Sequence, residues 1–488
     1  GAGGLSSAVG EMAATVGADV DLDTVPLKYE GLSATEVWIS EAQERMVLAV
    51  APADWPAMRK VAADEGVEAT AIGVFTGAGR IVLKWQGRVA GDLDCHFLHS
   101  GRPRQRLVSR HAPGPPAPLV FTGDPAPAAA LLEVLALPDV ASKERIVRQY
   151  DHEVQGCSVL KPLLGPGAGP ADGTVIRGVL GRDRGIVLGV GLRHHLGRLD
   201  PYQMAAGGIV EAIANVVAAG ADPDRIALLD NFCWGDTRRP ESLGTLVEAC
   251  RACHDLAVAF AAPFVSGKDS LNNVFAYADA AGAAREISIP PTLLVTALGQ
   301  LDDVRRAVSP DLKAAGNRLA VVGETRTEMA GSQLALTGRV SGGGVPTVDV
   351  AACRAAVRGV AVAVRGGLVQ ACHDVSDGGL LTAVAEMAIA GSRGARITLA
   401  DVPAAAAAAG NDLAIAFAET PGRFVCEVRP EHAAEFARRL EGVPWAWIGG
   451  VTASTDLEIV SPGGAADAGP AARLPVERLA RAWRGEDA

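Results

Sequence analysis

The chain has 488 residues, too many for one compact core, and its 49% hydrophobic and 21% charged residues describe a globular protein of two or three domains. A formal net charge of −11 argues against a nucleic-acid surface, although backbone donors and a bound cation can hold a phosphate-bearing ligand inside an acidic protein. No apolar run is long enough to span a bilayer, no basic-then-apolar leader is present, and the eight cysteines are too scattered for a disulfide framework, so a reducing cytoplasm is expected.

In chain order, Gly1-Ala2-Gly3-Gly4-Leu5 leads a helical pattern that ends in Glu11-Met12-Ala13. The same pattern returns as Ser376-Asp377-Gly378-Gly379-Leu380, ending in Glu386-Met387-Ala388. Val25-Pro26 answers Val402-Pro403, Ser40-Glu41 answers Ala418-Glu419, Arg45-Met46-Val47 answers Arg423-Phe424-Val425, and Ile72-Gly73 answers Ile448-Gly449. This is an internal repeat. The second copy is preceded by a further stretch, about residues 142 to 313, so the chain reads as half a repeat followed by a whole one, with a start that looks truncated or processed.

The first unit, 1 to 110, is expected to hold a helix from Ala53 to Glu65 and strands at Arg45 to Val50 and Arg80 to Trp85. Prolines 113, 115, 116, 118, 125 and 127 mark residues 111 to 141 as a linker or strap. Residues 142 to 313 carry strand patterns at Gly185 to Val190, Arg225 to Asp230 and Thr292 to Leu298, and helical patterns at Tyr202 to Ala219 and Ser242 to Ala259. A last unit, 314 to 460, opens on the strand-like Arg318 to Gly323 and is followed by a polar tail, 461 to 488. The expected fold class is α/β, in α+β layers.

Several segments carry chemistry. Val265-Ser266-Gly267-Lys268-Asp269-Ser270 can offer backbone N–H groups, an ammonium and a carboxylate to a phosphate and its metal, or form a plain polar turn; it lacks P-loop spacing. Asp230 closes an apolar strand, where an acid can meet a nucleotide or cap the next turn. Glu211 and Asn215, four apart on a helix, can offer oxygens to a hard cation or stand as a surface pair. Asp374 precedes the second glycine loop, which suits an anion or is simply a helix start capped by Ser376 or Asp377. Cys250-Arg251-Ala252-Cys253-His254 matches a haem-attachment pattern but lies on a helix without export signals, and buried thiols are the better reading.

Together, Gly1 to Met12, Trp38 to Met46, Leu199-Asp200-Pro201-Tyr202, Asn231-Phe232-Cys233-Trp234-Gly235, Val265 to Leu271 and Asp374 to Leu380 resemble the phosphoribosylformylglycinamidine synthases of purine biosynthesis, in their large synthetase subunit. The resemblance implies tandem aminoimidazole-ribotide-synthetase-like units, the first represented only by its C-terminal half. It also implies ATP and Mg2+, formylglycinamide ribonucleotide as substrate, and ammonia from a separate glutaminase subunit joined through a small bridging subunit. By the same resemblance, Glu41, Ala42, Gln43 and Ser270 contact substrate, and Asp230 and Gly267 contact nucleotide. Lys268 occupies a position where one branch of the family has a metal-binding Asn, but its ammonium has no lone pair to give a metal. Glu211, Asn215 and Asp374 correspond to metal positions of a second, pseudo-symmetric site. The family's catalytic histidines have no counterpart in the chain, so the alternative is a non-catalytic nucleotide-binding scaffold.

Overall fold

The computed structural model describes residues 3–123, 126–150, 152–461 and 472–486. Gly1 and Ala2 of the first glycine loop, and most of the polar stretch that begins at Pro462, lie outside the described residues. Two compact units emerge, Gly1–Arg106 and Leu107–Ala488. No described helix is long and apolar enough to cross a membrane.

In the first unit, Ala18–Asp21 pairs antiparallel with Gly73–Phe75 and parallel with Arg80–Trp85, which in turn pairs with Arg88–Asp94. Leu5 and Val9 of helix Gly4–Met12 pack with Val20, Ile81 and Leu83 into a small core. The strand expected at Arg45 to Val50 does not form a ladder, and Met46 and Leu48 are exposed. Its counterpart in the second copy, Arg423–Val428, is hydrogen-bonded on both sides, by Val369–Val375 and Arg318–Val322. Among the described residues the first unit contains no equivalent of either neighbour, and an extended segment without a ladder partner is not a strand.

The second unit contains two main sheets. In the six-stranded sheet, Thr292–Leu301 is flanked by Ile226–Cys233 and Gly185–Leu192, and every other residue of this central strand is buried. Helix Pro201–Ala218 starts where the pattern predicts, with Pro201 in its first turn and Asp200 accepting the Gln203 N–H at 2.9 Å. Gly191 lets this helix lie directly on the sheet, because a Cβ there would stand 1.9 Å from the Gly208 carbonyl oxygen. The seven-stranded sheet runs from Val369–Val375 at one edge to Ala472–Pro475 at the other. Its Trp445–Val451, Ala395–Thr398, Asp456–Val460 and Ala472–Pro475 repeat the order and directions of the first unit's whole sheet.

Two stretches read as irregular are built into this unit. Within 111 to 141, Pro127–Leu135 is a helix with Ala130, Leu131, Val134 and Leu135 fully buried; proline is harmless at a helix start, and an apolar run follows it. Within 461 to 488, Ala472–Pro475 forms an edge strand and Val476–Arg484 a helix whose Val476, Leu479, Ala480 and Trp483 share one buried face. The Trp483 indole donates to the Val140 carbonyl at 2.9 Å, so both ends of the second unit meet in one core. Trp483→Ala is expected to cost about 3–5 kcal/mol in urea unfolding followed by circular dichroism; an unchanged midpoint would mean that the helix is not seated as described.

Candidate functional site

The second glycine loop sits at the head of helix Gly379–Gly391. Gly378 and Gly379 have φ of 75° and 71°, and Gly379 is pressed so close to Phe417 that a Cβ would meet its backbone at 2.7 Å. Neither Ser376 nor Asp377 caps the helix, contrary to the sequence-based alternative. Instead the Glu419 carboxylate reaches across, accepting the N–H groups of Gly378 at 2.9 Å and Gln333 at 2.7 Å. Its other oxygen meets the Arg193 guanidinium at 3.3 Å, and both side chains are only 2% exposed.

Beside this pair lies a narrow cleft lined by Arg193, Glu211, Asp374, Ser376 and Arg423. Two of the predicted residues, Glu211 and Asn215, are no surface pair. Glu211 accepts the Leu192 N–H at 3.1 Å and Asn215 donates to the Val190 carbonyl at 2.7 Å, because their helix face lies against that strand. Asp374, at the end of Val369–Val375, is buried beside Asp172 and His373, and these three offer ligand atoms within 4.8 Å of one another. His373 is held between the Asp172 carboxylate, in a short contact, and Glu386 at 3.1 Å.

Carboxylates outnumber cations here. Burial, then the neighbouring Asp377 charge, pushes Glu419 up to about 7 despite Arg193. Glu211 and Asp374 are raised well above the usual carboxylate range by burial and by other acids, Asp377 for the first and Asp172 for the second. Burial opposes the charged form of His373, but Asp172 and Glu386 together raise it well above an ordinary imidazole. Burial, reinforced by Arg193, brings Arg423 down to about 9. Crowded oxygens that repel one another suit a hard divalent cation; Asp172 and Asp374, beside His373, are the carboxylates close enough to share one, and Glu211 lines the same cleft as Asp374.

A second group lies on the six-stranded sheet. The stretch from Phe264 to Ser270, read from sequence as a loop, is an edge strand parallel to Ile226–Cys233, and its register sets Gly267 beside Asp230 and Ser270 beside Cys233. Asp230 is therefore inside its strand and not at the end of it. A Cβ on Gly267 would fall 2.2 Å from Asp230 Oδ1, so glycine leaves room for that carboxylate. Burial and then Asp269 raise the Asp230 carboxyl. Lys268 Nζ makes a short contact with Ser270 Oγ. No hydrogen bond or ion pair among the described residues links this group to the cleft.

In the first unit, Glu41 repeats the contact of Glu419: its Oε1 accepts the Gly3 N–H at 2.9 Å, and Gly3 has φ of 77°. Arg45 donates to the Ser40 carbonyl at 2.8 Å, as Arg423 does, in a short contact, to Ala418. Ala42 is half-buried and Gln43 exposed beside this turn. The repeat alignment pointed at Glu419 but gave it no role, and nothing local singled out Arg193, whose partner is 226 positions away. The Cys250 thiol is exposed, which corrects the reading of both cysteines as buried; Cys253 is half-buried, and burial raises it to about 12.

The family described as AIR synthase related protein, C-terminal domain, matches residues 1–86 and 314–461, and its N-terminal domain counterpart matches 172–301. The PurL subunit of phosphoribosylformylglycinamidine synthase from Thermococcus gammatolerans is 35% identical over 438 residues, covering 89% of this chain and 57% of the relative. T. maritima PurL complexed with ADP has the same fold at a TM-score of 0.61 and 19% identity, over 93% of this chain and 63% of that one. T. maritima PurL complexed with FGAR aligns at a TM-score of 0.54 and 18% identity, over 72% and 53%. The chain spans less than two thirds of the length of the curated relatives it matches.

The raised carboxylates set a sign for stability against pH. Between the ordinary carboxylate value and about 7 for Glu419, the folded chain holds more protons than the unfolded one, so stability falls as pH rises through that window, by about 3 kcal/mol for this group at ~1.4 kcal/mol per unit. His373, raised by its acidic partners, has the same sign, and Asp236 and Asp303, depressed to about 2, finish ionising below the window. Thermal melts without divalent cations are expected to give a lower Tm at pH 8 than at pH 5.5, with magnesium restoring more stability at pH 8 and Asp374→Asn flattening the trend. A Tm that rises across this range contradicts the electrostatics described.

Proposed function

The chain belongs to the AIR synthase related proteins and is homologous to the PurL subunit of phosphoribosylformylglycinamidine synthase, and from that premise we propose that it forms part of an ATP-dependent, amidine-forming ligase of purine biosynthesis. The observation that carries this reading is the pair of glycine loops closed by equivalent carboxylates, Glu41 on Gly3 and Glu419 on Gly378. Each loop heads a helix with its glycines in the left-handed conformation, so the same turn is held in the same way in both copies.

In the proposed reaction the glycinamide carbonyl oxygen of formylglycinamide ribonucleotide attacks the γ-phosphorus of ATP and ADP leaves. Ammonia then adds to the carbon of the iminophosphate, and phosphate departs with the oxygen, giving the amidine, ADP and inorganic phosphate. Glu41, Ala42, Gln43 and Ser270 are assigned to substrate, and Asp230 and Gly267 to nucleotide. Lys268, beside Ser270, supplies donors to phosphate oxygens. Glu211, Asn215 and Asp374 would hold magnesium at a second nucleotide site, and the ion would supply charge to screen phosphate. A separate glutaminase subunit with a small bridging subunit supplies ammonia, in the cytoplasm.

The test supplies the chain with a segment corresponding to the part of its curated relatives that it does not span. ATP- and ammonium-dependent amidine formation with one ADP per product is expected, and Glu41→Gln should lower kcat/KM at least tenfold, about 1.4 kcal/mol. A folded, reconstituted protein that binds MgATP by calorimetry yet forms no amidine overturns the ligase reading in favour of a nucleotide-binding scaffold.

A further inference from the structure

Next to Arg193, three segments remote in sequence converge on one carboxylate. Asp139 lies in the turn after helix Pro127–Leu135, His194 and His195 in the short turn His194–Leu196, and Gln333 at the start of Gln333–Leu336. His195 Nε2 makes a short contact with Asp139 Oδ2, and His194 Nε2 lies 3.8 Å from the same oxygen. The two imidazoles are tilted together with centroids 3.9 Å apart. One ligand atom from each of these three residues falls within 4.8 Å of the others.

A separate observation concerns Gln333, which is 1% exposed. Its Nε2 donates to Asp139 Oδ2 at 3.3 Å, while its Oε1 is buried with no hydrogen-bond partner. The two ends of an amide are interchangeable by rotation. Rotated, the orphaned oxygen faces Asp139 and the imidazoles; that is unfavourable against a bare carboxylate and favourable against a cation. We propose that Asp139, His194, His195 and Gln333 form a binding site for one divalent transition-metal ion of the zinc class.

Two imidazole nitrogens with a carboxylate oxygen are a borderline donor set, suited to zinc and its neighbours and richer in nitrogen than the Asp172, His373 and Asp374 group. The Asp139, His194 and His195 side chains keep 31%, 30% and 27% of their surface exposed, so an ion reaches them from solution. The Asp377 charge adds attraction, and Lys143, whose Nζ donates to the Asp139 carbonyl at 3.1 Å, and Arg193 are the opposing charges. Since His194 adjoins Arg193, a bound ion would staple the segment that presents Arg193 to Glu419.

Cobalt(II) is the probe, with zinc as competitor, and no turnover is measured, so the outcome is independent of the ligase reading. One equivalent of cobalt per chain, with visible d–d absorption abolished by zinc, is expected. H195Q should weaken binding at least tenfold and H194Q/H195Q should abolish it, whereas H254Q, at an exposed histidine on the helix Pro240–Phe260, should leave the spectrum unchanged. Should the variants fail to fold, X-ray absorption of the zinc-loaded parent chain decides alone, with two imidazole nitrogens at about 2.0 Å expected. Absence of binding, binding that survives H194Q/H195Q, or an all-oxygen shell overturns the proposal.

Discussion

A carboxylate laid against the N–H of a left-handed glycine is the contact on which both copies of the repeated unit depend. A helix begins with unpaired backbone donors, and where the residue before it is glycine no side chain is at hand to satisfy them. In the second copy the missing acceptor comes from Glu419, about forty residues further on, and the same carboxylate gathers the N–H of Gln333 and the guanidinium of Arg193. A buried carboxylate needs several partners to remain where it is. Once held, it fixes the helix, the loop after Phe417 and the turn after strand Gly185–Leu192 to one another, and the cleft between them inherits its surplus of acid.

The first copy makes the same contact under different conditions. Glu41 lies on Gly3 in a turn with the same arginine-to-carbonyl brace, yet it is exposed, whereas Glu419 is 2% exposed. Identical local geometry therefore sits in water in one copy and in a low-dielectric interior in the other. Electrostatic consequences follow burial, which is the first cause of the rise of Glu419 to about 7. The segment after it shows the same dependence on surroundings: Arg423–Val428 is the second strand of a seven-stranded sheet, and its twin at Arg45 to Val50 has the right alternation without a ladder.

The internal repeat, the helices near residues 201 to 218 and 240 to 260 and the central strands were legible because burial imposes a period on the sequence. Glu211 and Asn215 were legible as a pair because four positions return to the same helix face. The polar Ser266-Gly267-Lys268-Asp269-Ser270 run reads as a loop because an edge strand exposed to solvent needs no apolar alternation. The helix from Pro127 and the one ending at Arg484 leave little mark in the sequence since each is short and flanked by proline-rich or polar residues, and their apolar faces acquire meaning only against each other and the helix Gly379–Gly391.

Sequence alone determined the family, the repeat and the residue types available for chemistry, because glycines that must turn left and acids at fixed spacing leave marks within a few positions. Tertiary structure decided which of those residues meet. Arg193 and Glu419 stand 226 positions apart, Asp172 and His373 stand 201 apart, and Asp139 finds His195 across 56. Charge interactions depend on distance and local dielectric, both of which are properties of the folded chain, so the sites could only be assembled once the sheets and helices had been packed.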